Sequence, residues 1–156
     1  MDSYDLHIVP GGRGRGIALY VKEEFSEFIE KIDLLDYGNI QALKIAFPSL
    51  QVIGTYIPPN TDSQDVISKL EAFVDEPNCV ILGDFNFDYP KKPQHQIKSY
   101  LYSRNFYQHI TGPTHYKGNI IDHIYTRGDF EIINVKRLLS HYSDHFGVGI
   151  CIASDK

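Results

Sequence analysis

Over most of this chain apolar and polar positions alternate with a period of two, the pattern of strands that bury one face. From Gly16 to Lys22, Ile17, Leu19 and Val21 alternate with Ala18, Tyr20 and Lys22. Ile40 to Phe47 and Leu50 to Ile57 flank Pro48-Ser49, which predicts an antiparallel hairpin. Phe28 to Leu34 reads as a further strand, although Glu27, Glu30 and Lys31 would also suit a helix. The period changes after Thr61-Asp62-Ser63-Gln64, an N-cap with a Gln three residues on. Val66, Ile67, Leu70, Phe73 and Val74 then recur at helical spacing and stop before Pro77. Asn78 to Gly83 is short, apolar on both faces and expected as a buried strand. Gln94 to Arg104 carries Ile97, Tyr100 and Leu101 on one face and predicts a second helix, with Pro93 near its start. Strands are expected again at Ile120 to Thr126, Phe130 to Lys136 and Phe146 to Ile152.

This order of strand pairs, helix, strand, helix and strand pairs implies an α+β domain with sheet packed on sheet and helices outside. A chain of 156 residues fits one such domain, residues 1–156, and 42% hydrophobic with 22% charged residues is ordinary for a soluble globular protein. The apolar runs are too short to cross a bilayer, so no membrane partner is expected. Met1 to Asp5 shows no secretory or transit pattern, which makes an intracellular protein, nuclear or cytoplasmic, the expectation. Cys79 and Cys151 sit in apolar runs and read as small buried hydrophobes. A net charge of -5 argues against binding nucleic acid by overall charge, since that affinity comes from Lys and Arg displacing counterions. Basic residues nevertheless cluster locally, at Arg13 and Arg15 in a Gly-rich run and at Lys91-Lys92.

Two strand-ending acidic clusters carry the candidate chemistry: Gly83-Asp84-Phe85-Asn86 and Ser143-Asp144-His145. Hard oxygen ligands for Mg²⁺ with a nearby base or hydrogen-bond donor are what metal-assisted phosphate chemistry needs. Asp84 and Asn86, two apart, would point the same way on an extended backbone, a carboxylate to take a proton from water beside a carboxamide to fix it. Either cluster alone also fits a plain polar turn. Asp122 shifts the balance, because a carboxylate inside the apolar strand around Ile120 to Tyr125 is costly to bury without a partner. A histidine suits that role, its ring oriented by the carboxylate and its other nitrogen left to donate to phosphate.

Taken in order, Gly54-Thr55-Tyr56-Ile57-Pro58-Pro59-Asn60, Gly83-Asp84-Phe85-Asn86, Pro113-Thr114-His115, Ile121-Asp122-His123-Ile124 and Ser143-Asp144-His145 resemble the motif series of the endonuclease/exonuclease/phosphatase superfamily. Within it the chain is most similar to the endonuclease domains of non-LTR retrotransposons. The resemblance implies a DNase I-like four-layer α/β sandwich of two mostly antiparallel sheets with helices outside. It implies an Mg²⁺-dependent phosphodiesterase, with Mn²⁺ able to substitute, acting on nucleic acid and foremost on DNA. Tyr56 would contact the scissile phosphate, Asp84 would activate water with support from Asn86, and His145, oriented by Asp122, would donate to a phosphoryl oxygen. Asp144 would bind the metal, while Thr114, Ser143, Arg13 and Arg15 would contact substrate.

The resemblance departs at its start. Family members carry an Asn-bearing strand and a strand with a metal-binding Glu before the segment that here is Gly12 to Lys22, and only Met1 to Gly11 stands there. Weak Mg²⁺ binding is then expected, and so is an exposed sheet edge open to a second copy or a partner. This supports a second reading, a binding or assembly module of the same fold with reduced or no catalysis. A third is a zinc protein built on His115, His123, His141 and His145.

Overall fold

The structure is a computed structural model that describes residues 3–12 and 14–153. Its centre is a six-stranded sheet in the order β3(Lys31–Tyr37), β4(Ile40–Phe47), β5(Leu50–Tyr56), β6(Cys79–Asp84), β8(Asp122–Arg127), β7(Tyr107–Gln108). All neighbours are antiparallel except β5 and β6. That parallel step is made by α2(Ser63–Phe73), which crosses over one face and joins α3(Gln96–Ser103) there. Val66, Leu70, Phe73, Ile97 and Leu101 from the helices close a core with Ile53, Ile81, Phe85 and Tyr125 from the sheet side.

The other face is covered by two separate hairpins, β1(Tyr4–Val9) with β2(Ile17–Lys22) and β9(Glu131–Leu138) with β10(Gly147–Ala153). The first lies over β4 and β5, close enough that Leu19 and Ile17 sit above Gly54. The second lies over β8 and closes a smaller core around Val80, Ile110, Ile120 and Ile124. A single helical turn, α1(Glu23–Ser26), follows directly on β2 and packs against the first hairpin.

Strand β4 is buried over six consecutive residues because it is covered on both faces, and Lys44 within it is tolerated because its Nζ meets Phe73 O, Asp75 and Asp33 at about 3 Å. The N-cap of α2 is Asp62, whose Oδ1 accepts the N–H groups of Gln64 and Asp65; Thr61, the expected cap, instead donates to Pro58 O. The strand expected from Phe28 starts at Lys31, since Glu23 to Ser26 are helical and two turn bonds, Phe28 N to Phe25 O and Ile29 N to Ser26 O, follow them. Strands β1 and β7 were not expected: β1 leaves Tyr4, Leu6 and Ile8 exposed, and β7 has two residues. Cys79 is buried as expected, but Cys151 is exposed, because β10 belongs to a two-stranded hairpin with one open face.

Candidate active site

Strand register brings the first three candidate residues together. Tyr56 on β5 pairs with Asp84 on β6, and Asp84 pairs with Asp122 on β8, so all three share one edge of the central sheet. Gly83 permits this approach: its φ is +150°, and a Cβ there would lie 1.8 Å from Thr55 O. After Asp84 the strand turns. Asn86 adopts φ 53° and its backbone N–H, not its side chain, donates to Asp84 Oδ1 at 2.9 Å. The Asn86 carboxamide is directed to Ile57 O at 2.8 Å, so the parallel projection expected of an extended backbone is replaced by an Asx turn that locks the carboxylate.

Asp122 is held by a second device. Thr114 is fully buried and its hydroxyl accepts the N–H groups of both Ile121 and Asp122 at 3.0 Å. It therefore fixes the start of β8 and does not face a substrate. Asp122 Oδ2 accepts from His145 Nδ1 at 2.8 Å. This sets the tautomer of His145 and leaves Nε2 free.

An isolated antiparallel bridge pairs His115 with His145. Its bonds are Tyr116 N to Asp144 O and Phe146 N to Thr114 O, which makes the two histidines a non-hydrogen-bonded pair, the type with the closest side chains. Their rings stand edge to face at 5.1 Å, and His115 Nε2 donates to Asp144 Oδ2 at 3.3 Å. Two groups of possible metal ligands result, each within 4.8 Å of one another: Asp84, Asp122 and His145, and His115, Asp144 and His145.

Burial pushes the Asp84 carboxyl up to about 6, with Asn86 N–H opposing and the Asp122 charge reinforcing the rise. Burial also works against the imidazolium of His145, but the Asp122 hydrogen bond and the charges of Asp122, Asp84 and Asp144 outweigh it and raise its pKa. The site thus pairs a proton acceptor made less acidic with a cation made more persistent.

The remaining candidates are engaged in other contacts or exposed. Ser143 is exposed and its hydroxyl accepts His145 N–H at 3.1 Å, shaping the loop. Arg15 lies by the β3–β4 turn, where its guanidinium donates to Gly38 O, while Arg13 lies outside the described residues. Lys91 is engaged by Asp88 and Asn119 at 3.0 Å. His123, a member of the four-histidine zinc reading, is wholly buried, bonded to Ile120 O and stacked on Phe85. His141 is exposed. His115, which the sequence grouped with His145 as a possible zinc ligand, does lie beside it; its pairing with Asp144 and His145 comes from segments about thirty residues apart.

The fold is a DNase I-like α+β sandwich, the architecture of a phosphodiesterase and phosphatase superfamily. The chain belongs to the Endonuclease/Exonuclease/phosphatase family, whose profile matches residues 2–145. No curated protein sequence matches it significantly. Among solved structures it is similar to the endonuclease domain of TRAS1, a telomere-specific non-LTR retrotransposon, at 14% identity and a TM-score of 0.60, covering 92% of this chain and 76% of that one. A family protein from Leptotrichia buccalis matches at 16% identity and a TM-score of 0.68, covering 97% and 72%. The inositol polyphosphate 5-phosphatase domain of SpSynaptojanin, solved with inositol (1,4)-bisphosphate and a calcium ion, matches at 14% and 0.57, covering 94% and 62%. At these identities the likeness speaks for the fold. No helix among the described residues is long and apolar enough to cross a membrane.

Proposed function

We propose that this protein hydrolyses phosphodiester bonds in nucleic acid, DNA foremost, with Mg²⁺ as its cofactor and Mn²⁺ able to replace it. The carrying observation is the convergence of Asp84, Asp122 and His145 at one sheet edge, with His145 shared by a second group that adds His115 and Asp144. The donor set suits a hard cation. Asp84 is engaged by Asn86 N–H and Asp122 by His145, while Asp144 has only a long contact to His115 and is the carboxylate most available to bind an ion. Bound Mg²⁺ would polarise a phosphoryl oxygen.

Asp84, with a pKa near 6, accepts the proton of the attacking water at near-neutral pH, and the new O–P bond forms as the bond to the leaving oxygen breaks. His145 Nε2, its ring held by Asp122, donates to a phosphoryl oxygen, and Tyr56 on the adjoining strand end borders the same phosphate. Arg15, with Arg13, supplies positive charge to the backbone of the substrate. Supercoiled plasmid is the direct test. Nicking is expected with Mg²⁺ or Mn²⁺ and is expected to stop with EDTA; cleavage indifferent to chelation would refute the proposal.

A second reading rests on a different observation. Between the first hairpin and the central sheet lies a cavity of about 480 Å³ lined by Leu19, Val21, Ile45, Phe47, Leu50 and Val52, and the hairpins hydrogen-bond to no other strand among the described residues. Open edges over an apolar floor favour strand addition, and a second copy of the chain is the occupant proposed. Light scattering is expected to give a dimer mass that grows with concentration; a monomer at all concentrations removes this reading.

A further inference from the structure

We propose that His115, Asp144 and His145 form a site for a borderline transition ion, Zn²⁺ for preference, whose occupancy withdraws His145 from phosphate. The inhibitory part rests on the hydrolytic reading above; the binding part does not. Neighbouring imidazoles on one face of a non-hydrogen-bonded strand pair approach closely without any loop having to close around the ion. Here the bridge between segments 114–116 and 144–146 places both rings edge to face at 5.1 Å, and Asp144 adds a carboxylate beside them. Two nitrogens and one oxygen are a borderline donor set that suits Zn²⁺ over Mg²⁺, and three protein ligands leave a position for water.

The support behind the ligands is also present. His145 gives its Nδ1–H to Asp122 at 2.8 Å, the carboxylate–histidine arrangement that orients a metal-binding ring and raises its basicity. His115 must yield more. Its Nδ1 accepts Lys117 N–H at 3.3 Å, so an ion on Nε2 moves the ring proton to Nδ1 and breaks that long contact. Asp144, with a side chain 60% exposed, can turn to close the distance among ligand atoms that now lie within 4.8 Å. An ion held on Nε2 of His145 takes the place of the proton that this nitrogen otherwise donates to phosphate, and that proton is released to solvent. Mg²⁺, which prefers oxygen and retains water, does not compete for that nitrogen, but the two ions share Asp144, so Zn²⁺ also takes the carboxylate that would hold Mg²⁺.

Co²⁺ titration of the metal-free protein, read by its visible d–d absorption and by Zn²⁺ displacement, tests the site. One equivalent is expected to bind the wild type, and binding is expected to be lost in His115→Gln and in Asp144→Asn. Asp84→Asn should retain it, while Asp122→Asn should weaken it by about 10–100-fold as a supporting partner. Zn²⁺ should inhibit Mg²⁺-dependent nicking in the wild type. Circular dichroism confirms folding of each variant, and Asp144→Asn, at an exposed side chain, decides the matter should His115→Gln not fold. Absence of Co²⁺ binding, binding unchanged in both site variants, or binding lost instead in Asp84→Asn overturns the proposal. The two readings separate: nicking without Co²⁺ binding sinks only the transition-ion site, and Co²⁺ binding without nicking sinks only the hydrolysis.

Discussion

Asp84→Asn is expected to slow hydrolysis sharply and at the same time stabilise the metal-free protein by roughly 1–3 kcal/mol near neutral pH, since each unit of pKa shift corresponds to about 1.4 kcal/mol. Burial raises the folded-state pKa of Asp84 from the ordinary 3.8 to about 6, so the ionised side chain disfavours the fold. The sign follows from linkage. Below pH 3.8 the carboxyl is protonated in both states and contributes nothing; through the window up to about 6 the unfolded chain ionises first and stability falls; above 6 the loss is complete. Asn keeps an oxygen to accept Asn86 N–H at the same position but carries no charge. The gain over wild type should therefore be absent in acid, grow between pH 4 and 6 and level off above. Losing the water-activating base should lower the rate by about 10²–10⁴-fold. Thermal denaturation across pH with EDTA present checks the stability, and plasmid nicking checks the rate. A variant no more stable than wild type at neutral pH would mean that the carboxylate is not held at a cost.

Asp122→Asn should have an effect of similar size for a different reason. The carboxamide carries no charge to hold the imidazolium, so the ring loses the cationic character with which Nε2 donates to a phosphoryl oxygen. A loss of about 10²–10⁴-fold is expected, with the pKa of His145 falling because its hydrogen-bonded and nearest charge partner is gone. Imidazole resonances followed against pH report the second change independently of activity. Retained turnover with an unshifted His145 would remove Asp122 from the mechanism.

Several parts of this architecture were legible in the residues alone. The Ile40–Phe47 and Leu50–Ile57 alternation marks a hairpin, and Val66, Leu70 and Phe73 mark a helix, because each pattern repeats within a few residues and states which face is buried. Asp122 stood out as a charge in an apolar strand, and the Asp122–His145 bond supplies the partner that its burial demands. Cys151 and the strand expected at Phe28 misled because exposure and strand limits depend on what packs opposite. Thr114 misled for the same reason: its motif position pointed to substrate, and burial turned its hydroxyl to the backbone of β8.

Local spacing, then, marked most of the elements, and the order of short motifs pointed to the family and to Asp84, Asp122, Asp144 and His145 as candidate groups. Only the tertiary structure decided how they meet: the register that sets Asp84 across from Asp122, the turn that sends Asn86 to Ile57, and the bridge that sets His115 beside His145. Hydrophobic periodicity encodes direction relative to the nearest neighbours in the chain. Contacts between residues tens of positions apart arise from the sum of many weak packing and pairing energies, and no short motif carries that sum.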